Sequence, residues 1–206
     1  MIQLHHLNKS RSKRIIWLLE ELGVDYEVIP YQRDSVTFLA PPELKTVHPL
    51  GKSPVIVDDG LVVSESGAIT EYLIDKYGKG RLVPHRGTPA YVAYLQWIHF
   101  AESSAILPLL LKMFVEKDGC ETNFLAGYAD GEIAKVMSYF DQALAGKKYL
   151  VEDTLSGADI MMSFIVEILQ NNQVLRNFPN IASYAQQLAS HPAYLKSNDI
   201  EAHFNQ

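Results

Sequence analysis

The chain has 206 residues, enough for one large or two small domains with a full hydrophobic core. Hydrophobic residues make up 48% and charged residues 20%, which excludes disorder, and a formal charge of −6 with no block of Lys and Arg excludes a nucleic-acid polyanion as main partner. Cys120 is the only cysteine, which excludes an internal disulfide framework and a thiolate-built zinc site. No basic leader precedes a long apolar stretch, and no window approaches about eighteen apolar residues, so the expectation is a cytosolic protein with no membrane span.

Residues 2–7 read as a strand, with Ile2, Leu4 and His6 on one face and Gln3, His5 and Leu7 on the other. Adjacent strand residues point apart, so His5-His6 is not a metal pair, and each reads as a core or edge histidine. Residues 8–12 are a polar break. From Lys13 the period becomes helical, with Ile15, Leu18, Leu19 and Leu22 on one face and Gly23 suited to a left-handed C-cap. Residues 25–29 read as a second strand. Short joints make this a βαβ unit, whose strands run parallel.

Pro41-Pro42-Glu43-Leu44 reads as the start of a short helix leading to His48-Pro49. The β-branched run Val55-Ile56-Val57 then forms a strand, Asp59-Gly60 a tight hairpin turn, and residues 61–63 the returning strand. Ser64-Glu65-Ser66-Gly67 opens a helix with Ile69, Tyr72 and Leu73 on one face. A helix start presents unpaired N–H groups and partial positive charge, a seat for a carboxylate, and Glu65 beside it suits an ammonium. An α-amino acid end fits such a seat. Capping by Ser64 or Ser66 explains the same residues.

Pro84-His85-Arg86-Gly87-Thr88-Pro89 interrupts both periods and marks a boundary. Beyond it no strand is read. Tyr91, Tyr94, Leu95 and Ile98 begin a long helix that Pro108 must kink or break. Ile133, Val136, Met137, Phe140 and Leu144 mark another. Ser156-Gly157-Ala158-Asp159 has capping-box spacing ahead of an apolar helix over 160–169, and 181–188 is a further helix ending before His191-Pro192. The order β-α-β-α-β-β-α gives an α/β, thioredoxin-like domain of four mixed strands and three helices over 1–79. A linker over 80–89 and an all-α helical bundle over 90–206 follow.

Four motifs in order resemble the soluble glutathione transferases, and within them the branch of the fungal microsome-associated transferases and their bacterial relatives. They are Ser-Arg-Ser-Lys-Arg-Ile-Ile-Trp-Leu-Leu-Glu-Glu-Leu at 10–22, Ala-Pro-Pro-Glu-Leu-Lys at 40–45, His-Pro-Leu-Gly-Lys-Ser-Pro at 48–54 and Leu-Ser-Gly-Ala-Asp-Ile at 155–160. Ser-Pro-Val-Ile at a strand start and Glu-Ser-Gly-Ala-Ile at a helix start belong to the same resemblance.

The resemblance implies that Glu65 and Ser66 hold the γ-glutamyl end of glutathione. It implies that Ser53 pairs through its backbone with the cysteinyl part, that Pro54 is cis, and that Lys52 meets the glycyl carboxylate. Ser10 stands where serine-type members place the hydroxyl that donates to the glutathione sulfur, although capping by Ser10 or Ser12 is the alternative. Asn8 and Arg11 are possible accessories to the thiolate, or surface loop residues. Glu102 is a possible contribution to the partner subunit's glutathione site. The second substrate is implied to lie between the domains, with Tyr94, Trp97, His99, Phe100, Leu107 and Met113 as candidates for its wall or for bundle core.

The resemblance also implies glutathione as co-substrate, no metal and no further cofactor, a small apolar electrophile, and a homodimer serving detoxification. No tyrosine occupies the N-terminal loop and no cysteine stands between 8 and 13, so tyrosine-type and cysteine-type chemistry are not expected, and Cys120 is read as a passive helical-domain residue. Glutathione-dependent peroxidase, isomerase or dehalogenase activity uses the same binding residues. A non-enzymatic ligand carrier or protein-interaction module uses the same fold.

Overall fold

The structure is a computed structural model that describes residues 1–119 and 121–204, so Cys120 lies outside the described residues. In chain order its elements begin β1 (Ile2–Leu7), α1 (Ser12–Leu22), β2 (Tyr26–Tyr31), α2 (Leu44–Val47), β3 (Val55–Asp58), β4 (Leu61–Ser64) and α3 (Ser66–Tyr77). They continue α4 (Pro89–Phe100), a π-helical turn (Ala101–Ala105), α5 (Ile106–Asp118), α6 (Leu125–Ala143), α7 (Gly157–Asn171), α8 (Pro179–Leu188) and α9 (Pro192–Phe204). Two units pack separately: Met1–Val83 with Leu188–Gln206, and Pro84–Gln187.

In the first unit the sheet order is β2-β1-β3-β4, with β1 parallel to β2 and antiparallel to β3, and β3 antiparallel to β4. This is the expected mixed sheet. β1 is flanked on both sides, and every one of its residues but Gln3 is buried. Each of its buried Leu or Ile side chains stabilises the fold by about 1.5–3 kcal/mol. Pro30 fits in β2 because that strand is at the edge, where a missing N–H breaks no second ladder. The hairpin turn is as expected, with Asp59 at φ 50° and Gly60 at φ 83°, the pair of positive angles that Asp-Gly tolerates. Gly23 caps α1 at φ 67°, donating to the carbonyls of Leu19 and Glu20.

α1 packs on β1, on α3 and, most extensively, on α9. The periodicity does not announce α9, whose buried positions are few: Tyr194, Ser197 and Glu201, two of them polar. Trp17 of α1 meets Tyr194 edge-on with centroids 5.0 Å apart, and Lys196 pairs with Glu20 at 2.7 Å. The last stretch of the expected 90–206 domain therefore packs with the first unit.

Among the described residues the regular elements of the second unit are all helices. Met137, Phe140, Met161, Met162, Ile165 and Tyr184 form its core, with Phe140 meeting Tyr184 edge-on. Pro108 neither breaks nor ends the long helix. Its ring would strike the carbonyl four residues back, and the wider π turn at Ala101–Ala105 precedes it by a few residues, so the helical run continues from Pro89 to Asp118. By length and composition that run is apolar enough to cross a membrane, a property it shares with the core helices of bundles; Tyr94, Trp97, Ile98, Ala101 and Ala105 on it are buried in this unit. At the start of α7 the capping box forms as spaced, with Asp159 accepting from the Ser156 N–H at 2.8 Å.

Candidate functional site

Residue 7 is the junction of the first unit's polar end. The Leu7 N–H donates to Ser12 Oγ at 3.3 Å and to Ser53 Oγ at 3.1 Å, while the Leu7 carbonyl accepts from Ser12 Oγ at 3.1 Å. Ser53 Oγ also donates to the His5 carbonyl at 2.8 Å, so its hydroxyl extends the β1 edge past the end of the ladder. The Ser53-Pro54 bond is cis. Ser10 Oγ lies 2.7 Å from Ser12 Oγ and accepts the Ser12 N–H at 3.2 Å. Thus Ser10 does take a helix-start N–H, as the capping alternative had it, and hydrogen bonds through Ser12 and Leu7 link it to Ser53.

Glu65 and Ser66 reach the same neighbourhood by a different route. Glu65 is exposed and adopts φ 67°, ψ 116°, a left-handed φ that glycine usually occupies, directly before α3. Ser66 is buried and its Oγ accepts from Arg14 Nη2, on the first turn of α1. Two helix starts, each with unpaired N–H groups and partial positive charge, are therefore tied together by one guanidinium.

The other candidates take varied positions. Lys52 is exposed beside the cis bond. Asn8 uses its side-chain carbonyl to accept the Arg33 N–H at 2.8 Å, anchoring the chain after β2. Arg11 is half-buried and close enough to Arg33 to lower that guanidinium's pKa, after burial, the larger cause. Glu102 is half-buried in the π turn of the helical unit. Of the six wall candidates, Tyr94 and Trp97 are buried in that unit's core, Phe100 is half-buried, and His99, Leu107 and Met113 are exposed.

Behind Ser10 stand Ser12, read above as an alternative cap, and His6, read as a core or edge histidine, together with Glu201, which the sequence reading missed. Ser12 and His6 are fully buried, with Ser12 Oγ 2.8 Å from His6 Nδ1, and His6 Nε2 lies 2.9 Å from Glu201 Oε2 on α9. His5, the next residue along, instead meets the Tyr31 hydroxyl at 2.9 Å, and burial lowers its imidazole below the ordinary value. The alternation of β1 sends the two rings to different partners, and among the described residues no group of three His, Cys, Asp or Glu is placed to hold a metal. The one sequence signal for the missed partner was Pro192, a proline suited to the first turn of a helix.

A thioredoxin-like sheet unit with a cis-proline ahead of β3, in a chain whose other unit is a helical bundle, defines the architecture of the glutathione transferases. The family description "Glutathione S-transferase, N-terminal domain" matches residues 1–75 and "Glutathione S-transferase, C-terminal domain" matches 108–198. The chain belongs to the glutathione S-transferase family. Glutathione S-transferase 3 of Schizosaccharomyces pombe is 33% identical over 94% of this chain and 85% of its own length. Glutathione S-transferase 1 of Saccharomyces cerevisiae is 29% identical over 97% and 94%. A solved glutathione S-transferase from Actinobacillus pleuropneumoniae superposes with TM-score 0.89 at 39% identity, covering 98% of this chain and 93% of that one. A glutathione transferase homologue from Lodderomyces elongisporus, solved with two glutathione molecules per subunit, superposes with TM-score 0.83 at 25% identity, covering 97% and 98%.

Proposed function

We propose that this chain is a serine-type glutathione transferase that joins the glutathione thiolate to small apolar electrophiles, acting as a cytosolic homodimer in detoxification. Ser10 supports the thiolate, the backbone at Ser53 and cis-Pro54 aligns the cysteinyl part, Glu65 and Ser66 hold the γ-glutamyl end, and Lys52 meets the glycyl carboxylate. The observation that carries this reading is that the Ser10 hydroxyl and the start of α3 both bond the first turn of α1, while Ser53, next to the cis bond, shares the Leu7 N–H with Ser12 of that turn.

The magnitudes are sufficient. Bringing a thiol from about 8.5 to about 6.5 takes about 2.7 kcal/mol of differential stabilisation. One hydrogen bond to a charged sulfur contributes about 1.5–3 kcal/mol and a helix N-terminus about 0.3–1 kcal/mol. Ionising and orienting the thiol are then the main catalytic contributions.

Conjugation of a chlorodinitrobenzene or an isothiocyanate tests the reading, with Ser10→Ala expected to slow turnover at least about tenfold, the equivalent of one lost hydrogen bond. Undiminished turnover removes Ser10 from the mechanism, and no glutathione binding at millimolar ligand favours a carrier or scaffold. One observation favours a second reading, glutathione as reductant: the Lodderomyces homologue holds two glutathione molecules per subunit, as disulfide formation requires. Product analysis separates the two, since only conjugation consumes glutathione into a thioether.

A further inference from the structure

A buried line of polar groups runs inward from Ser10. Ser10 Oγ is 2.7 Å from Ser12 Oγ, Ser12 Oγ is 2.8 Å from His6 Nδ1, and His6 Nε2 is 2.9 Å from Glu201 Oε2. Glu201 Oε1 in turn accepts the Lys9 N–H at 2.9 Å. Ser12 and His6 are wholly buried, and Glu201 is 8% exposed.

Counting hydrogens fixes their directions. His6 Nε2 and Glu201 Oε2 meet without the alignment of a hydrogen bond, yet a bare lone pair on Nε2 at that distance would face the carboxylate's own, so Nε2 carries the ring hydrogen. In a neutral imidazole Nδ1 then carries a lone pair, and of the two acceptors within reach of the Ser12 hydroxyl, Nδ1 at 2.8 Å and the Leu7 carbonyl at 3.1 Å, the nearer Nδ1 takes its hydrogen. Ser12 has one hydrogen. Ser10 is therefore the donor in the contact between the two serines, and its own hydrogen points inward. In this state Ser10 meets a ligand as an acceptor. In an imidazolium both ring nitrogens donate, the Ser12 hydrogen leaves Nδ1 for Ser10 Oγ at 2.7 Å or the Leu7 carbonyl at 3.1 Å, and either way the Ser10 hydrogen is free to turn outward.

We propose that Ser10, Ser12 and His6 form a proton relay, backed by the Glu201 carboxylate, that takes up the proton of the bound glutathione thiol. This rests on the reading of Ser10 given above. The S–H bond breaks as its proton passes to Ser10 Oγ, the Ser10 proton passes to Ser12 Oγ, and the Ser12 proton passes to His6 Nδ1. Thiolate and imidazolium replace thiol and imidazole, so atoms and total charge are unchanged. The end state has the Ser10 hydroxyl donating to sulfur, as a thiolate needs, and a charged ring beside a carboxylate. The groups facing His6 are Ser12 from α1, with Glu201 and the Phe204 ring, its centroid 6.0 Å away, from α9. Ser12, His6 and Glu201 act on the sulfur only through Ser10.

The test counts protons. Glutathione is added to the full-length protein near neutral pH, the ultraviolet thiolate band gives thiolate formed, and calorimetry in buffers of different ionisation enthalpy gives protons released. The wild-type chain should release fewer than about 0.2 protons per thiolate, because the relay keeps the proton, whereas His6→Asn, which can accept from Ser12 but cannot be charged, should release about one. Glu201→Gln should lie between them. S-Methylglutathione, which has no thiol proton, should bind the wild type and both variants alike and so reports that the site is intact. A wild-type thiolate band accompanied by about one proton released overturns the relay alone. Glutathione bound with no thiolate band overturns the reading of Ser10 on which the relay rests.

Discussion

Arg14 Nη2 donates to Ser66 Oγ, joining the first turn of α1 to the first residue of α3 across 52 residues of sequence, and both side chains are buried. A buried guanidinium joining two helix starts sets where the first turn of α1 stands relative to the start of α3 at 65–66. Replacing Arg14 with Gln should cost about 2–4 kcal/mol of stability, read from urea unfolding, because it leaves buried polar groups without their charged partner. Arg14→Lys should not restore it, since an ammonium lacks the fixed fork of donors.

Asp58, at the end of β3, is 1% exposed and accepts from Tyr72, Tyr77 and Lys76 at 2.8 Å each. Burial alone would raise its carboxyl, but the hydrogen bonds from Lys76, Tyr77 and Tyr72 and the Lys76 charge bring it below the ordinary carboxylate value. A depressed folded value stabilises the fold above the unfolded value of about 3.9, and that contribution is lost as pH falls through the folded one. Asp58→Asn should therefore destabilise the protein by about 2–3 kcal/mol near neutral pH, with the difference from wild type shrinking below about pH 4. Thermal unfolding followed across that range measures it.

The Asp159 carboxylate accepts four hydrogen bonds: from the Leu150 N–H and the Tyr184 hydroxyl to Oδ1, and from the Ser156 N–H and hydroxyl to Oδ2. Burial pushes its carboxyl up, and the four donors oppose that. Asp159→Ala leaves those donors buried without an acceptor and should cost about 3–5 kcal/mol, whereas Tyr184→Phe, removing one donor, should cost about 1 kcal/mol. Urea unfolding of the two variants compares them.

The sheet was legible because its signals are local and agree. The Asp59-Gly60 turn, the β-branched run before it and Gly23 after an apolar stripe each fix one piece of backbone, and all give the same fold. α9 was not legible. Its inward positions are largely polar, so no apolar stripe marks it, and what it packs on is α1, about 180 residues earlier in the chain. The candidate site divides likewise: Ser10, Ser53, Glu65 and Ser66 stand in short recognisable motifs, while His6 and Glu201 meet only when α9 folds onto the sheet unit, and spacing carries no trace of that contact. Pro108 reads locally as a helix breaker because a proline's effect is local, and the π turn that precedes it is not written in any one residue.

The direct test of the account is the ultraviolet thiolate band formed when glutathione binds, compared between the wild type and Ser10→Ala. With S-methylglutathione affinity unchanged, the account predicts a band in the wild type and at least about a tenfold smaller thiolate-to-thiol ratio in the variant, the equivalent of one charge-assisted hydrogen bond. An equal band in both proteins would contradict it.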